Sequence, residues 1–265
     1  MRESRVGLLA GSGQLPLEFL KSAKEKGVKV VSFALKGITD PEIEKYSESV
    51  FWIKPFKLKA FFNGVKESGV KELYLLGKVE HKKAIDLTGL DLKAIQFLFR
   101  LKNRKPETII LAIIDELKKV GVEVPNPESF LEHLKLRKGE QLGKGRLSRE
   151  TLEDLEFGMN VAKEIASLDV GQTVIIKNKT VIAVEAIEGT DECIKRGAAL
   201  AGEGFVVCKA ARKNQDMRVD VPTVGINTVK LVEELGGKAI AVEAERTFVL
   251  DKDRIKTGKV PVLAL

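Results

Sequence analysis

The first half of the chain alternates two hydrophobic periods. Val6 to Ala10 is a short, nearly continuous apolar run of the kind buried in a parallel sheet. A glycine-containing turn follows, and Pro16 stands where a helix would begin. Leu17, Phe19, Leu20 and Ala23 then recur at helical spacing, and Gly27 closes that helix. The rhythm repeats with strands over 28–35 and 50–53, a helix over 58–68 ended by Gly69, and a strand over 72–76 ended by Gly77. Helical periods cover about 91–103 and 107–120. This βαβα order predicts a doubly wound parallel sheet.

The second half reads differently. Pro125, Pro127 and the basic, glycine-containing stretch 137–146 break the rhythm, so 132–148 is expected to be a linker. A helix over 149–167 follows, then strands over 173–177 and 181–187 joined by Asn178 and Lys179 as a hairpin turn. A helix near 190–201, a strand over 205–209, a polar loop over 210–222, a helix over 225–235 and strands near 239–249 complete the pattern. The expected fold class is α/β in two domains, 1–131 and 149–265, with a cleft between them.

Composition narrows the function. At 265 residues and 44% apolar, the chain can bury one large or two modest cores. No apolar run approaches the ~20 residues that span a bilayer. The N-terminus lacks a signal peptide's apolar stretch, so a cytoplasmic protein is expected. Cys193 and Cys208 show no CxxC spacing and read as buried packing residues. Two histidines, His81 and His133, and no HExxH argue against a histidine-rich zinc or di-metal centre.

The net charge of +7 is unevenly spread. Residues 1–131 carry 23 basic and 17 acidic side chains, 132–149 carry 6 and 2, and 150–265 carry 16 and 19. The lysines are interleaved with glutamates and lack aromatic stacking partners, which argues for a solvated mixed surface and no nucleic acid.

Several segments can carry chemistry. Gly11, Ser12, Gly13 and Gln14 follow the first strand and open a helix, where free backbone N–H groups suit a phosphate. A third Rossmann glycine is replaced by Pro16, so a mononucleotide or single phosphate fits better than a dinucleotide. The alternative is a tight turn that needs glycine for geometry only. Lys78 lies at the carboxyl end of another strand and could neutralise a phosphate or be an ordinary surface lysine. His81 nearby reads as a loop histidine or a general base.

In the second half, strand alternation puts Val181, Ala183 and Glu185 on one face, leaving Glu185 a charge in an apolar strand that needs a partner or a function. Glu188, Thr190 and Asp191 fall in a turn opening a helix, where capping accounts for one of them. The loop from Lys209 to Thr223 mixes Lys209, Arg212, Lys213 and Arg218 with Asp216 and Asp220. Phosphate-ester chemistry needs this mixture: carboxylates to hold a hard cation such as Mg²⁺, cations to neutralise phosphoryl oxygens. A solvated loop would contain the same residues.

Together these segments resemble the LpxI-type UDP-2,3-diacylglucosamine pyrophosphatases of lipid A biosynthesis. The likeness rests on Gly-Leu-Leu-Ala-Gly-Ser-Gly-Gln-Leu-Pro at 7–16, Leu-Lys-Gly at 35–37 and Gly-Lys-Val at 77–79. It continues through Asp-Val-Gly-Gln-Thr-Val at 169–174 and Ala-Val-Glu-Ala-Ile-Glu-Gly-Thr-Asp at 183–191. Gln-Asp-Met-Arg-Val-Asp-Val-Pro-Thr-Val-Gly at 215–225 and Ala-Val-Glu-Ala at 241–244 complete it. Between 100 and 110 the chain departs from the family's glycine- and aspartate-rich pattern.

The resemblance implies a Rossmann-like N-terminal domain, a distinct C-terminal α/β domain, and an active site at their interface. It implies Mg²⁺-dependent hydrolysis of UDP-2,3-diacylglucosamine to UMP and 2,3-diacylglucosamine 1-phosphate, with water attacking the sugar-side phosphorus. Its essential aspartate corresponds to Asp220, or secondarily Asp216. On this basis Asp220, Asp216, Arg218 and Lys209 are the candidate catalytic residues. Gly11, Ser12, Gly13, Gln14, Lys78, Gln172, Thr190 and Thr223 are the candidates for substrate binding. Asp220, Glu188, Asp191 and Glu185 are the candidates for metal. An acylated UDP-sugar is the expected partner, with peripheral contact at the inner membrane surface and a homodimer also carried as expectations. Rival readings are a nucleotide-sugar transferase or other pyrophosphatase, and a non-catalytic nucleotide-binding module.

Overall fold

The structure is a computed structural model, which describes residues 4–78, 91–99, 101, 106–213 and 215–265. Val79, His81 and the segment 102–105 lie outside the described residues. The chain forms two compact units: Met1–Glu132 with Asp216–Asp220, and His133–Gln215 with Val221–Leu265.

Unit one begins with β1 (Arg5–Ala10), α1 (Leu15–Glu25), β2 (Lys29–Leu35) and β3 (Ser49–Ile53). It continues with α2 (Leu58–Ser68), β4 (Leu73–Leu76), α3 (Leu92–Phe99), α4 (Pro106–Lys119) and α5 (Glu128–Leu131). The four strands are parallel in the order β3-β2-β1-β4. That order reverses direction between β1 and β4, and a reversal of this kind opens a crevice at the carboxyl ends of the two strands. Both faces of the sheet are covered. Val31, Phe33, Leu73, Phe61, Val65, Ile114 and Leu117 share one core. Tyr74, one residue beyond Leu73 and therefore on the opposite face, meets Phe19 and Phe130 with ring centroids 4.8 and 5.4 Å away.

Unit two contains β5 (Gln141–Leu142), α6 (Arg149–Ser167), β6 (Thr173–Lys177), β7 (Thr180–Val184), α7 (Thr190–Ala201) and β8 (Val206–Lys209). Then come β9 (Thr223–Val224), α8 (Ile226–Glu234), β10 (Ala239–Val242), β11 (Phe248–Val249), α9 (Lys252–Lys256) and β12 (Val262–Ala264). A six-stranded mixed sheet runs β5-β12-β10-β8-β6-β7, and β11 pairs with β9 separately. Alternate residues divide between two cores. Ile175, Val207, Ile240 and Val262 face one way with Ile194, Val229 and Val232 of α7 and α8. Val174, Val206, Ala241 and Leu263 face the other with Leu155, Met159 and Ala162 of α6. A sheet buried on both sides reads as continuous apolar strands, as the sequence does here.

Three expectations need correction. The stretch read as a linker is folded into unit two: Leu136 and Leu142 are buried, and β5 pairs antiparallel with β12. Its glycines and lysines mark turns around an edge strand, and they sit where chain leaves and rejoins the sheet. β12 itself was not expected, since Pro261 leaves only a short apolar run after it and the strand is three residues long. The strand expected over 181–187 ends at Val184, and a register shift between Ile175 and Ile176 marks a bulge against Ile182. The bulge puts Ile182 and Ala183 on one core and breaks the alternation, so Glu185 follows the strand and is not part of it.

The hairpin turn at Asn178 and Lys179 is as expected, with φ of 50° and 53°. Asp154 of α6, 8% exposed, accepts the N–H groups of both at 2.9 and 2.6 Å. Asp154→Ala should therefore cost about 2–3 kcal/mol, the value of charge-assisted bonds to donors that would otherwise be unmet. Thermal unfolding would read this as a fall of roughly 5–10 °C in Tm. Both cysteines are buried, and burial pushes the Cys193 thiol up to about 12 and the Cys208 thiol higher still, so both are inert packing groups.

Candidate active site

In unit one the loops after β1 and β4 interlock. Gly11 N–H donates to Leu76 O at 2.7 Å, Ser12 N–H to Lys78 O at 2.8 Å, and Lys78 N–H back to Ser12 O at 2.9 Å. The Ser12 hydroxyl also donates to Lys78 O at 2.9 Å. A Cβ on Gly11 would lie 2.7 Å from Lys78 O, and one on Gly77 would lie 2.7 Å from Ser12 O. These two glycines are required for backbone approach at the crevice rim. Gly13, by contrast, faces open space at φ +97°. Gln14 is the N-cap of α1 and makes no side-chain cap hydrogen bond. The first-turn N–H groups of this helix and the exposed Lys78 thus lie at the strand ends where open α/β sheets take ligands.

The segment Asp216–Asp220 also groups with unit one. Val219 packs on its core, and Val219 and Asp220 N–H groups donate to Asp216 O at 2.9 and 3.1 Å, closing a turn. The Arg218 guanidinium grips the Asp216 carboxylate with Nε at 2.9 Å from Oδ1 and Nη2 at 2.6 Å from Oδ2, and Arg218 N–H adds a third donor. This hydrogen-bonded cation holds the Asp216 carboxyl below the ordinary aspartate range and raises the Arg218 guanidinium. Asp220 stands exposed at the end of the turn.

In unit two a polar chain crosses the end of the sheet. Lys209 Nζ donates to Thr190 Oγ1 at 2.9 Å, and that hydroxyl donates to Glu185 Oε1 at 3.0 Å. Thr173 Oγ1 lies 3.5 Å from Thr190 Oγ1. Glu185 Oε2 is buried with no hydrogen-bond partner. Lys209 is thereby oriented by a hydroxyl that a carboxylate orients in turn. Gln172 is buried, its carbonyl accepting Ala210 N–H at 2.9 Å, and Thr223 is half-buried in β9.

Two of the acids of unit two expected to bind a metal are engaged with other groups. Glu185 is engaged with Thr190, while Glu188 pairs with Arg196 at 2.5 Å and accepts Ala186 N–H at 3.0 Å. Arg196 holds the Glu188 carboxyl below its usual range. Asp191 is exposed in the first turn of α7, where the helix dipole favours an acid. Among the described residues no three Asp, Glu, His or Cys side chains come together to hold a metal ion. Glu185, Glu188 and Asp191 therefore do not form a protein-built cage for Mg²⁺ within unit two.

Two residues that sequence reasoning missed are Glu243 and Arg246, which hold the backbone at 211–213. The Ala-Val-Glu-Ala motif at 241–244 contains the first, and its buried acid after an apolar strand was the signal.

Comparison with known proteins places the chain. Residues 5–134 match the LpxI N-terminal domain and 138–258 match the LpxI C-terminal domain. The chain belongs to the LpxI family. An LpxI relative from Caulobacter vibrioides, described as a UDP-2,3-diacylglucosamine pyrophosphatase, is 28% identical over 261 residues, covering 95% of this chain and 92% of its own. Solved structures are only loosely similar to this LpxI chain. A biotin carboxylase complex from Campylobacter jejuni has a TM-score of 0.29 at 13% identity, over 74% of this chain and 42% of that one. An N5-carboxyaminoimidazole ribonucleotide synthetase from Thermotoga maritima has a TM-score of 0.27 at 13% identity, over 70% and 42%. The chain thus spans less than half the length of both, and neither bears on its fold or function. Among the described residues no helix is long and apolar enough to cross a membrane.

Proposed function

We propose that this chain hydrolyses the pyrophosphate of UDP-2,3-diacylglucosamine, adding water across the P–O–P bridge to give UMP and 2,3-diacylglucosamine 1-phosphate. The observation that carries the reading is that both LpxI domains run through nearly the whole chain, with a relative of that name aligned end to end. In this reading the Gly11–Gln14 loop and Lys78 take the nucleotide or its phosphates. Lys209, held by Thr190 and Glu185, neutralises phosphoryl oxygens, and Asp220 polarises the attacking water. Arg218 is committed to Asp216 and shapes the loop.

Asp220 is the residue that would hold Mg²⁺ in this reading, a hard cation that takes oxygen ligands and usually keeps several waters. The ion would neutralise charge developing on the phosphoryl group. The reaction would take place in the cytoplasm at the inner membrane surface, where an acylated UDP-sugar resides.

The test is release of UMP from UDP-2,3-diacylglucosamine with Mg²⁺, after EDTA, and after Mg²⁺ is restored, beside CDP-diacylglycerol and water-soluble UDP-sugars. Turnover of the lipid UDP-sugar alone, lost in EDTA and regained with Mg²⁺, is expected. Full activity in EDTA would remove the metal from the reading. Stoichiometric UDP binding with no turnover of any candidate would replace the enzyme with a binding module.

A further inference from the structure

One stretch of unit two, 243–250, holds both ends of the polar loop between β8 and β9. At the far end, Phe248 N–H donates to Pro222 O at 2.9 Å, β11 pairs with β9, and Leu250 N–H donates to Val224 O at 2.8 Å. At the near end side chains add to one backbone hydrogen bond. Glu243, 8% exposed, follows β10, and its N–H donates to Lys209 O at 3.0 Å. Its Oε2 accepts Ala211 N–H at 2.9 Å, and its Oε1 lies 3.2 Å from Arg246 Nη1. Arg246 Nη2 donates to Arg212 O at 2.6 Å and to Lys213 O at 3.2 Å.

An exposed ion pair at this separation in sequence would contribute little. This pair is different because the acid is buried, and because each partner also satisfies backbone groups of a chain that has just left its sheet. Thr247 N–H donates to Glu243 O at 3.1 Å, and Glu245 takes φ +59° to close the turn that brings Arg246 back to Glu243. A left-handed non-glycine residue here marks a turn held by its surroundings.

We propose that Glu243 and Arg246 are positioning residues for the hydrolysis proposed above, an inference that rests on that reading. They clamp residues 211–213, from which the chain runs on into Asp216, Arg218 and Asp220. Neither touches the reacting atoms. Their loss removes no reactive group but lets the root of the loop, and the side chains it carries, shift, and a displacement near 1 Å can cost on the order of 100-fold in rate.

The experiment uses the full chain with Arg246→Ala, Arg246→Lys and Glu243→Gln. Three readings are taken: steady-state hydrolysis of UDP-2,3-diacylglucosamine, melting temperature, and hydrogen exchange of the backbone amides at 211–213. Arg246→Ala is expected to lower kcat by roughly 10- to 100-fold with KM changed much less, and to speed exchange at Ala211. Guanidinium at non-denaturing concentration should restore part of kcat in Arg246→Ala and none in Glu243→Gln, which keeps its arginine. Arg246→Lys should fall between, since one ammonium cannot fork to two carbonyls and a carboxylate. Parent-like kcat in Arg246→Ala, or a loss matched by melting and not relieved by guanidinium, overturns the proposal. A parent protein with no turnover overturns the functional reading instead, and an active parent with unchanged exchange in Arg246→Ala and Glu243→Gln overturns the clamp.

Discussion

Asp220→Ala is expected to lower turnover of UDP-2,3-diacylglucosamine by about three orders of magnitude while leaving Tm within about 2 °C of the parent. The motif at 215–225 offers two carboxylates, which differ in their surroundings. Asp216 is spent on structure: it takes both nitrogens of the Arg218 fork and the Arg218 N–H, and its carbonyl accepts the Val219 and Asp220 amides. Asp220 is exposed at the end of that turn, with its backbone fixed by the Asp216 carbonyl. Asp220 is more exposed than Asp216, which grips a guanidinium and a backbone amide, so its removal is expected to cost less stability. Asp216→Ala should behave in the opposite way. It removes the carboxylate that the Arg218 guanidinium grips and loosens the turn, so rate and loop order fall together. The lowered Asp216 carboxyl means the pair's contribution is fully present above the ordinary aspartate range. It is lost only as pH falls through the depressed native value, so the turn should hold through mildly acidic pH. Near-parent kcat in Asp220→Ala, measured beside Asp216→Ala, would remove Asp220 from the chemistry.

That difference in surroundings was only partly legible in the sequence. The first unit was readable because its signals are local: a strand-length apolar run, Pro16 early in α1, and Gly69 at φ +68° ending α2 at the expected residue. The parallel sheet and its switch point follow from repeating those signals. The second unit hides its logic in contacts distant in sequence. β12 is three residues long yet lies between β5 and β10, a place that only pairing defines. The bulge at Ile182 is invisible to a period-2 reading, which therefore misplaced Glu185. The acids at 185–191 looked like a metal set because the sequence shows spacing and not partners. Arg196, one of those partners, sits eight residues beyond Glu188 on α7. Glu243 was overlooked because its partner amide, that of Ala211, is 32 residues away.

Gly171→Ala should be the most damaging single methyl in unit two, costing at least ~3 kcal/mol and lowering Tm by roughly 10 °C. Gly171 lies between the left-handed Asp169, at φ +58°, and the start of β6. A Cβ there would stand 1.9 Å from Glu185 O and 2.7 Å from Glu185 C, both backbone atoms that no rotamer change can move. Glu185 cannot retreat freely, since its N–H is tied to Thr173 O at 2.9 Å and its carboxylate to Thr190 at 3.0 Å. The strain would therefore pass along the polar chain to Lys209, and through Gln172 O to the Ala210 amide, so kcat should fall with stability. Gly13→Ala separates steric conflict from backbone conformation. Gly13 takes φ +97° but faces open space, so its cost is conformational and should be about 1–2 kcal/mol. Calorimetry on both variants decides the matter. A Gly171→Ala protein that melts within about 2 °C of the parent, or no lower than Gly13→Ala, would mean that the β6–β7 end can open. The Lys209–Thr190–Glu185 chain would then be free to rearrange.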